Sequence, residues 1–102
     1  FQPHRYSRLV RENGRFALSL RDASEVCVYK LYEAYEKGQY AIDETEVLKG
    51  LSSYGVPAVH AVNYNEILDW LERKRDAVVL FLGAGDITEA SKLSALKLCA
   101  TH

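Results

Sequence analysis

Methionine is absent from these 102 residues, and cysteine and proline occur only twice each. With no Met and a start on Phe1, the chain reads as a stretch of a longer protein whose function need not be complete within it. Cys27 and Cys99 lack CxxC spacing and are too few for a disulfide framework. Two free thiols in apolar surroundings, in a reducing cytoplasm, is the expectation. Charge of one sign is missing too: 13 Lys and Arg against 14 Asp and Glu leave a net charge of −1. A near-neutral chain offers no global field to a polyanion, which argues against nucleic-acid binding. The longest plain apolar run, residues 77–82, falls far short of the ~20 residues of a membrane helix. Nor do the first fifteen residues read as a secretory signal, since Arg5, Arg8, Arg11 and Arg15 have no apolar run behind them.

What is present is ordinary globular material, 48% hydrophobic and 26% charged,. One domain over residues 1–102 is expected, removing roughly 60–70% of its unfolded surface from water. Periodicity alternates along it. Residues 25–32 (EVCVYKLY) are β-branched and aromatic and read as a strand. Residues 42–54 carry Val47, Leu48 and Leu51 at helical spacing, with acids in the first turn and Gly55 as a stop. A short strand follows at 58–62. Asn63 and Glu66 form a capping box for a helix to about residue 75, with Ile67, Leu68 and Leu71 inward. Residues 77–82 read as a strand buried on both faces. After Gly83-Ala84-Gly85, Asp86 and Glu89 cap a last helix to about residue 99. Asn13-Gly14 interrupts an earlier helical pattern and places that helix mainly at 14–20. Phe1-Gln2 reads as the tail of one more strand, and residues 35–40 as the longest loop. This succession predicts βαβ units: a three-layer α/β fold with a mainly parallel sheet and right-handed crossovers, its first strand truncated.

Two segments could carry chemistry. Residues 1–8 (FQPHRYSR) lie between a strand end and a helix, where open α/β sheets bind ligands. Residues 1–15 hold four Arg against the single Glu12, a local excess of +3. The planar guanidinium groups of Arg5 and Arg8 match the two oxygens of a carboxylate; a solvated basic turn fits the same residues. His4 has no second ligand at metal spacing, so a hydrogen-bonded or exposed imidazole is expected. Gly83-Ala84-Gly85-Asp86 could cradle phosphate on backbone N–H groups. Thr88 stands where a dinucleotide fingerprint has its third glycine, and Asp86 suits a cap better than a phosphate neighbour, so a tight turn is favoured. His4, His60, His102, Cys27 and Cys99 have no zinc-ligand spacing, and no nucleophile elbow is present. Tyr29, Tyr32, Tyr35 and Tyr40 suit core and loop packing. Glu33, Glu36, Asp43, Glu44 and Glu46 read as a solvated face and helix-dipole partners.

Residues 1–8, with residues 82–87 (LGAGDI) and the looser 32–36 (YEAYE), resemble the C-terminal domain of the ATP-dependent Mur ligases, closest to the branch that adds L-alanine. The likeness spans the whole chain, anchored at both ends. Tyr35 stands where the family usually has Gly, which touches neither anchor. The resemblance implies a bacterial, cytoplasmic ligase of peptidoglycan-precursor synthesis, with a Rossmann-like C-terminal domain that closes over ATP. Its substrates would be UDP-N-acetylmuramate, L-alanine and ATP, and Mg2+ would offset the phosphate charge. By the same resemblance Arg5 and Arg8 would hold the L-alanine carboxylate, His4 would line that pocket, and Gly83, Gly85 and Asp86 would form a structural turn at the domain face. No G-K-[ST] loop is present, so ATP and Mg2+ would be held mainly by other domains and this piece alone would be inactive. Two rival readings remain: a murein-peptide ligase of the same superfamily, and a stand-alone α/β binding module.

Overall fold

The computed structural model describes residues 1–12, 14–32, 43–74, 76–83 and 85–100. The expected loop at 35–40 and the YEAYE segment beyond Tyr32 lie outside them, as do Asn13, Ala84 and His102. Among the described residues the order is α1 (Tyr6–Glu12), α2 (Arg15–Leu20), β1 (Val26–Tyr29), α3 (Thr45–Ser53), β2 (Ala58–Ala61), α4 (Tyr64–Glu72) and α5 (Asp86–Ala100). The fold is α/β, with β1 and β2 parallel in the register Val26–Ala58 to Tyr29–Ala61.

Every residue of β1 is buried, because helices cover both its faces,. Val26 and Val28 pack with Leu9 of α1, Ala17 of α2 and Val47 and Leu51 of α3. Cys27 and Tyr29 point the other way, toward Ile67 and Leu71 of α4 and Ile87 and Ala90 of α5. The period-2 alternation of one strand thus divides the core in two. Burial pushes the Cys27 thiol up, so it sits protonated and inert,.

The helix ends follow local chemistry. Asn63 accepts the Glu66 N–H at 3.0 Å, and its amide donates to Glu66 Oε1 at 3.0 Å, so the expected box closes through two side chains. After α3, Gly55 takes a φ of 73°. The Gly55 N–H reaches Ser52 O and the Val56 N–H reaches Leu51 O, each at 3.0 Å, which is a Schellman ending with Val56 packed on Leu51,. At the other end of α3, Thr45 gives its N–H and hydroxyl to Asp43 Oδ1 at 2.9 and 2.6 Å.

Three expectations need correction. The helix expected at 14–20 stands as α2, but another, α1, precedes it, because Leu9 anchors residues 6–12 in the core and Gly14, at φ 87°, turns the chain before α2. Residues 77–82 are extended but form no strand among the described elements, and they are not buried on both faces: Val78 is 91% and Leu80 71% exposed, while only Val79 and Phe81 pack inward. No described helix covers the outer face of that segment, and among the described residues it meets the sheet only at its end, where Leu82 O accepts the Gln2 N–H and Gly83 is bridged to Gln2. Glu44 is not on a solvated face. It is 9% exposed and accepts the Leu31 N–H at 2.8 Å.

The N-terminal segment completes the frame. Phe1 N donates to Cys27 O and Tyr29 N donates to Phe1 O, each at 2.8 Å, which sets Phe1 beside Val28 on the edge of β1 away from β2. Three residues later His4 is bridged in parallel to Tyr32, four residues after Val28. The β1 side therefore carries one extra residue, a bulge at Lys30-Leu31. Its two backbone groups are taken by side chains: Leu31 N–H by Glu44, and Lys30 C=O by Gln2 Nε2 at 3.0 Å. Gln2, 1% exposed, also donates its N–H to Leu82 O at 3.0 Å and accepts the Ile87 N–H on Oε1 at 2.9 Å.

Replacing Gln2→Leu keeps the volume but strands the Lys30 carbonyl and the Ile87 amide. We expect a loss of about 2–4 kcal/mol in urea unfolding; a loss below half a unit would mean that other groups satisfy both. The Thr45 hydroxyl first, then its N–H, hold the Asp43 carboxyl below the usual range. A depressed carboxylate stabilises the fold above its unfolded value, about 3.9, and that share is lost as pH falls through the lower folded value. Asp43→Ala should cost about 1 kcal/mol at pH 7, with a smaller difference from the parent near pH 2; a constant gap across that range would refute the linkage.

Candidate functional site

The N-terminal segment, the end of β1 and the start of α5 come together at the carboxyl ends of the parallel segments. Arg5 donates its N–H to Tyr32 O at 2.8 Å and accepts the Leu9 N–H on its carbonyl at 3.3 Å, opening α1. Its φ is 68°, and among the described residues it is the only one other than glycine with a positive φ. A left-handed arginine costs about 1–3 kcal/mol. The two hydrogen bonds and the buried Pro3 and Leu9 on either side fix it there.

That backbone turn decides where the side chains stand. Arg5 and Arg8, three residues apart across the first turn of α1, are both exposed. Among the described residues neither is ion-paired with a carboxylate. His4, half-buried, stacks on Tyr32 with ring centroids 5.3 Å apart and planes 10° from parallel. The aromatic pair forms a wall between the two arginines' turn and the α5 turn.

The glycines of the second motif are spaces as much as turns. A Cβ on Gly85 would stand 2.7 Å from the Tyr32 ring, and one on Gly83 would stand 2.7 Å from Gln2 O. Both lie in the positive-φ region, at 145° for Gly83 and 125° for Gly85,. Asp86 is exposed at the first position of α5, and the nearby Ile87 N–H is capped by Gln2 rather than by Asp86. The segments 1–8 and 82–87 are therefore one object, joined by Gln2 below and by Tyr32 above. Gln2 and Tyr32 were not singled out as site residues in the sequence. Their only signal is membership of the two motif-bearing stretches, with a glycine placed where an aromatic ring lies.

Among the described residues no three His, Cys, Asp or Glu side chains converge on a metal position. His60 stands away from His4, on β2, with Nε2 3.8 Å from Glu44 Oε2. The arrangement can grip a small anion with two arginines beside an aromatic wall; it contains no paired nucleophile and base.

The chain is similar to UDP-N-acetylmuramate--L-alanine ligases over nine-tenths of its own length. The chain is 39% identical over 92 residues to that of Pseudothermotoga lettingae, covering 90% of this chain and 21% of the relative. It is 40% identical over 92 residues to that of Thermotoga maritima, covering 90% and 20%. Against that of Synechocystis sp. the identity is 31% over 91 residues, covering 87% and 18%. The chain thus spans about a fifth of the length of the curated relatives it matches. No family model matches it.

If Gly85 is required because Tyr32 fills its side-chain space, Gly85→Ala should cost about 1–3 kcal/mol by overpacking. Part of that cost should vanish in a Tyr32→Ala background, giving a coupling above about 0.5 kcal/mol in a double-mutant cycle. Strict additivity in urea unfolding would leave backbone strain as the whole cause.

Proposed function

We propose that the chain is the C-terminal, amino-acid-binding and closure domain of an ATP-dependent ligase that joins L-alanine to UDP-N-acetylmuramate in peptidoglycan-precursor synthesis. The observation that carries this reading is the exposed Arg5–Arg8 pair, set by a strained backbone at the carboxyl ends of the strands. The reaction is the one that the names of its relatives describe. In this reading the whole chain, residues 1–102, is one Rossmann-like, three-layer domain, and the parent is a bacterial cytoplasmic enzyme.

The domain's own contribution is positioning. Two guanidinium groups hold the L-alanine carboxylate, which leaves the amine free and directed at the activated carboxyl of the sugar. His4, braced by Tyr32, lines the same pocket. In this reading ATP would supply the activation by giving its γ-phosphoryl group to the lactyl carboxylate and leaving as ADP, after which the amine attacks the acyl carbon and phosphate departs. ATP and Mg2+ belong in this reading mainly to other parts of the parent chain, since a G-K-[ST] phosphate loop does not occur in this sequence,. Gly83, Gly85 and Asp86 serve as the turn that holds α5 against the site, without nucleotide contact. The absence of any described helix long and apolar enough to cross a membrane is compatible with this setting.

In the full-length parent, ADP release in the presence of UDP-N-acetylmuramate and Mg-ATP should depend on L-alanine. Release only with a murein tripeptide would move the protein to the recycling branch, and no release with either would leave a binding module. Arg8→Ala should raise the KM for L-alanine about 10- to 100-fold, the loss of one charged hydrogen bond, with the KM for ATP nearly unchanged. Equal rises in both would overturn the carboxylate role.

A further inference from the structure

Glu44, buried in the turn before α3, belongs to neither motif, yet it bonds to the backbone one residue before Tyr32. We propose that Glu44 is a positioning residue for the amino-acid site. It acts through the Leu31 amide to fix which residue after β1 lies beside His4. The proposal rests on the reading of Arg5 and Arg8 as the grip on an amino-acid carboxylate.

Side-chain alternation shows what this carboxylate controls. Val26 and Val28 face α1, α2 and α3, so in a regular strand Lys30 and Tyr32 would follow them to that side,. Leu31 would then face α4 and α5. The bulge reverses both. Leu31 packs with Leu9 and Val47, and the Tyr32 ring fills the side-chain space of Gly85 at the start of α5. Pairing that begins with Phe1 beside Val28 would, without the extra residue, bring Leu31 beside His4. With it, Tyr32 takes that place, donating its N–H to Pro3 O at 2.9 Å and accepting the Arg5 N–H at 2.8 Å. A slip of one residue would exchange the aromatic wall for an aliphatic side chain and turn the ring to the opposite face.

Glu44 decides between these two registers. In the bulged one the Leu31 N–H goes to Glu44 Oε1 at 2.8 Å, inside the protein. In the regular one the same amide would continue the ladder begun by Tyr29 N–H on Phe1 O, and would take Pro3 O from Tyr32,. Without the carboxylate, the bulge keeps a buried amide unsatisfied and the regular ladder does not. The second carboxylate oxygen, Oε2, lies 3.8 Å from His60 Nε2, so β2 braces the same side chain. Reach matters here more than charge, because an amide oxygen at the same place would accept the same N–H.

Two substitutions in the full-length parent separate reach from charge. Glu44→Asp keeps the charge and draws the acceptor back by one methylene; Glu44→Gln keeps the reach and removes the charge. Glu44→Asp should raise the KM for L-alanine about tenfold with the KM for ATP unchanged, and Glu44→Gln should stay close to the parent. On a Tyr32→Ala background, Glu44→Asp should add little further rise. Amide hydrogen exchange reads the same lock without activity. The Arg5 N–H, held by Tyr32 O, should exchange about tenfold faster in Glu44→Asp, while the amides of α4 keep their rates. Equal rises in both KM values, a Gln variant as impaired as the Asp one, or a full further rise on Tyr32→Ala would each overturn the assignment. So would parental exchange at Arg5, or faster exchange at α4 as well. If ADP release does not depend on L-alanine, the ligase reading fails, and the exchange rates still decide the role of Glu44.

Discussion

The side chain of Gln2 holds this domain together at the point where it matters. Its amide ties the bulge after β1 to the first turn of α5, and the backbone N–H of the same residue holds the end of residues 77–82. Buried polar groups are tolerable only when satisfied, and here the donor and acceptor of the amide are each used once on a backbone group. A hydrocarbon of equal size would fill the space and leave two holes in the hydrogen-bond pattern. Glutamate would present no donor to Lys30 O. The geometry thus asks for an amide of this length, and it explains why residues 85 positions apart behave as one unit.

The bulge that Gln2 and Glu44 stabilise has a geometric consequence. An extra residue on the β1 side lets Tyr32 rise past the sheet, where its ring covers Gly85 on one side and stacks on His4 on the other. Its carbonyl then accepts the Arg5 N–H and helps to hold Arg5 in the left-handed region. Strain of that kind persists only where neighbours over-determine the backbone. The arginine that would touch substrate is therefore aimed by the sheet through the bulge, and not by its own rotamer preferences. Positioning catalysis needs this sort of rigidity, because a guanidinium that wanders by an ångström orients nothing.

Local chemistry was readable from the residues alone. Asn63 with Glu66, and Gly55 after Leu51, mark helix ends through interactions within three to five residues, and both hold. The order of α2, β1, α3, β2, α4 and α5 was equally legible, since it depends on periodicity. What failed depends on partners. Residues 77–82 have the composition of a doubly covered strand, but burial is a property of what lies beside a strand, and no described element covers the outer face of this one. Glu44 reads as surface beside Asp43 and Glu46, and only the bulge, a feature of pairing, gives its carboxylate a buried amide to accept. The site was half visible: two arginines in a basic turn are a sequence signal, while the Gln2 and Tyr32 links between the motifs are purely three-dimensional.

These pieces together explain a division of labour within one small sheet. β1 sits at its centre, clad on both faces, and carries most of the core. On its β2 side the sheet is short and closed by ordinary helix packing. On the other side the N-terminal segment is held to β1 on one edge and bridged to Gly83 on the other, and it runs straight into the turn that carries Arg5 and Arg8. A central parallel strand has neighbours on both edges and helices on both faces, which makes its end the stiffest platform such a domain can offer. In the proposed reading an amino-acid carboxylate held there would inherit the rigidity of the whole sheet, which is what a domain needs if its role is to carry a bound substrate as a body toward an activated partner.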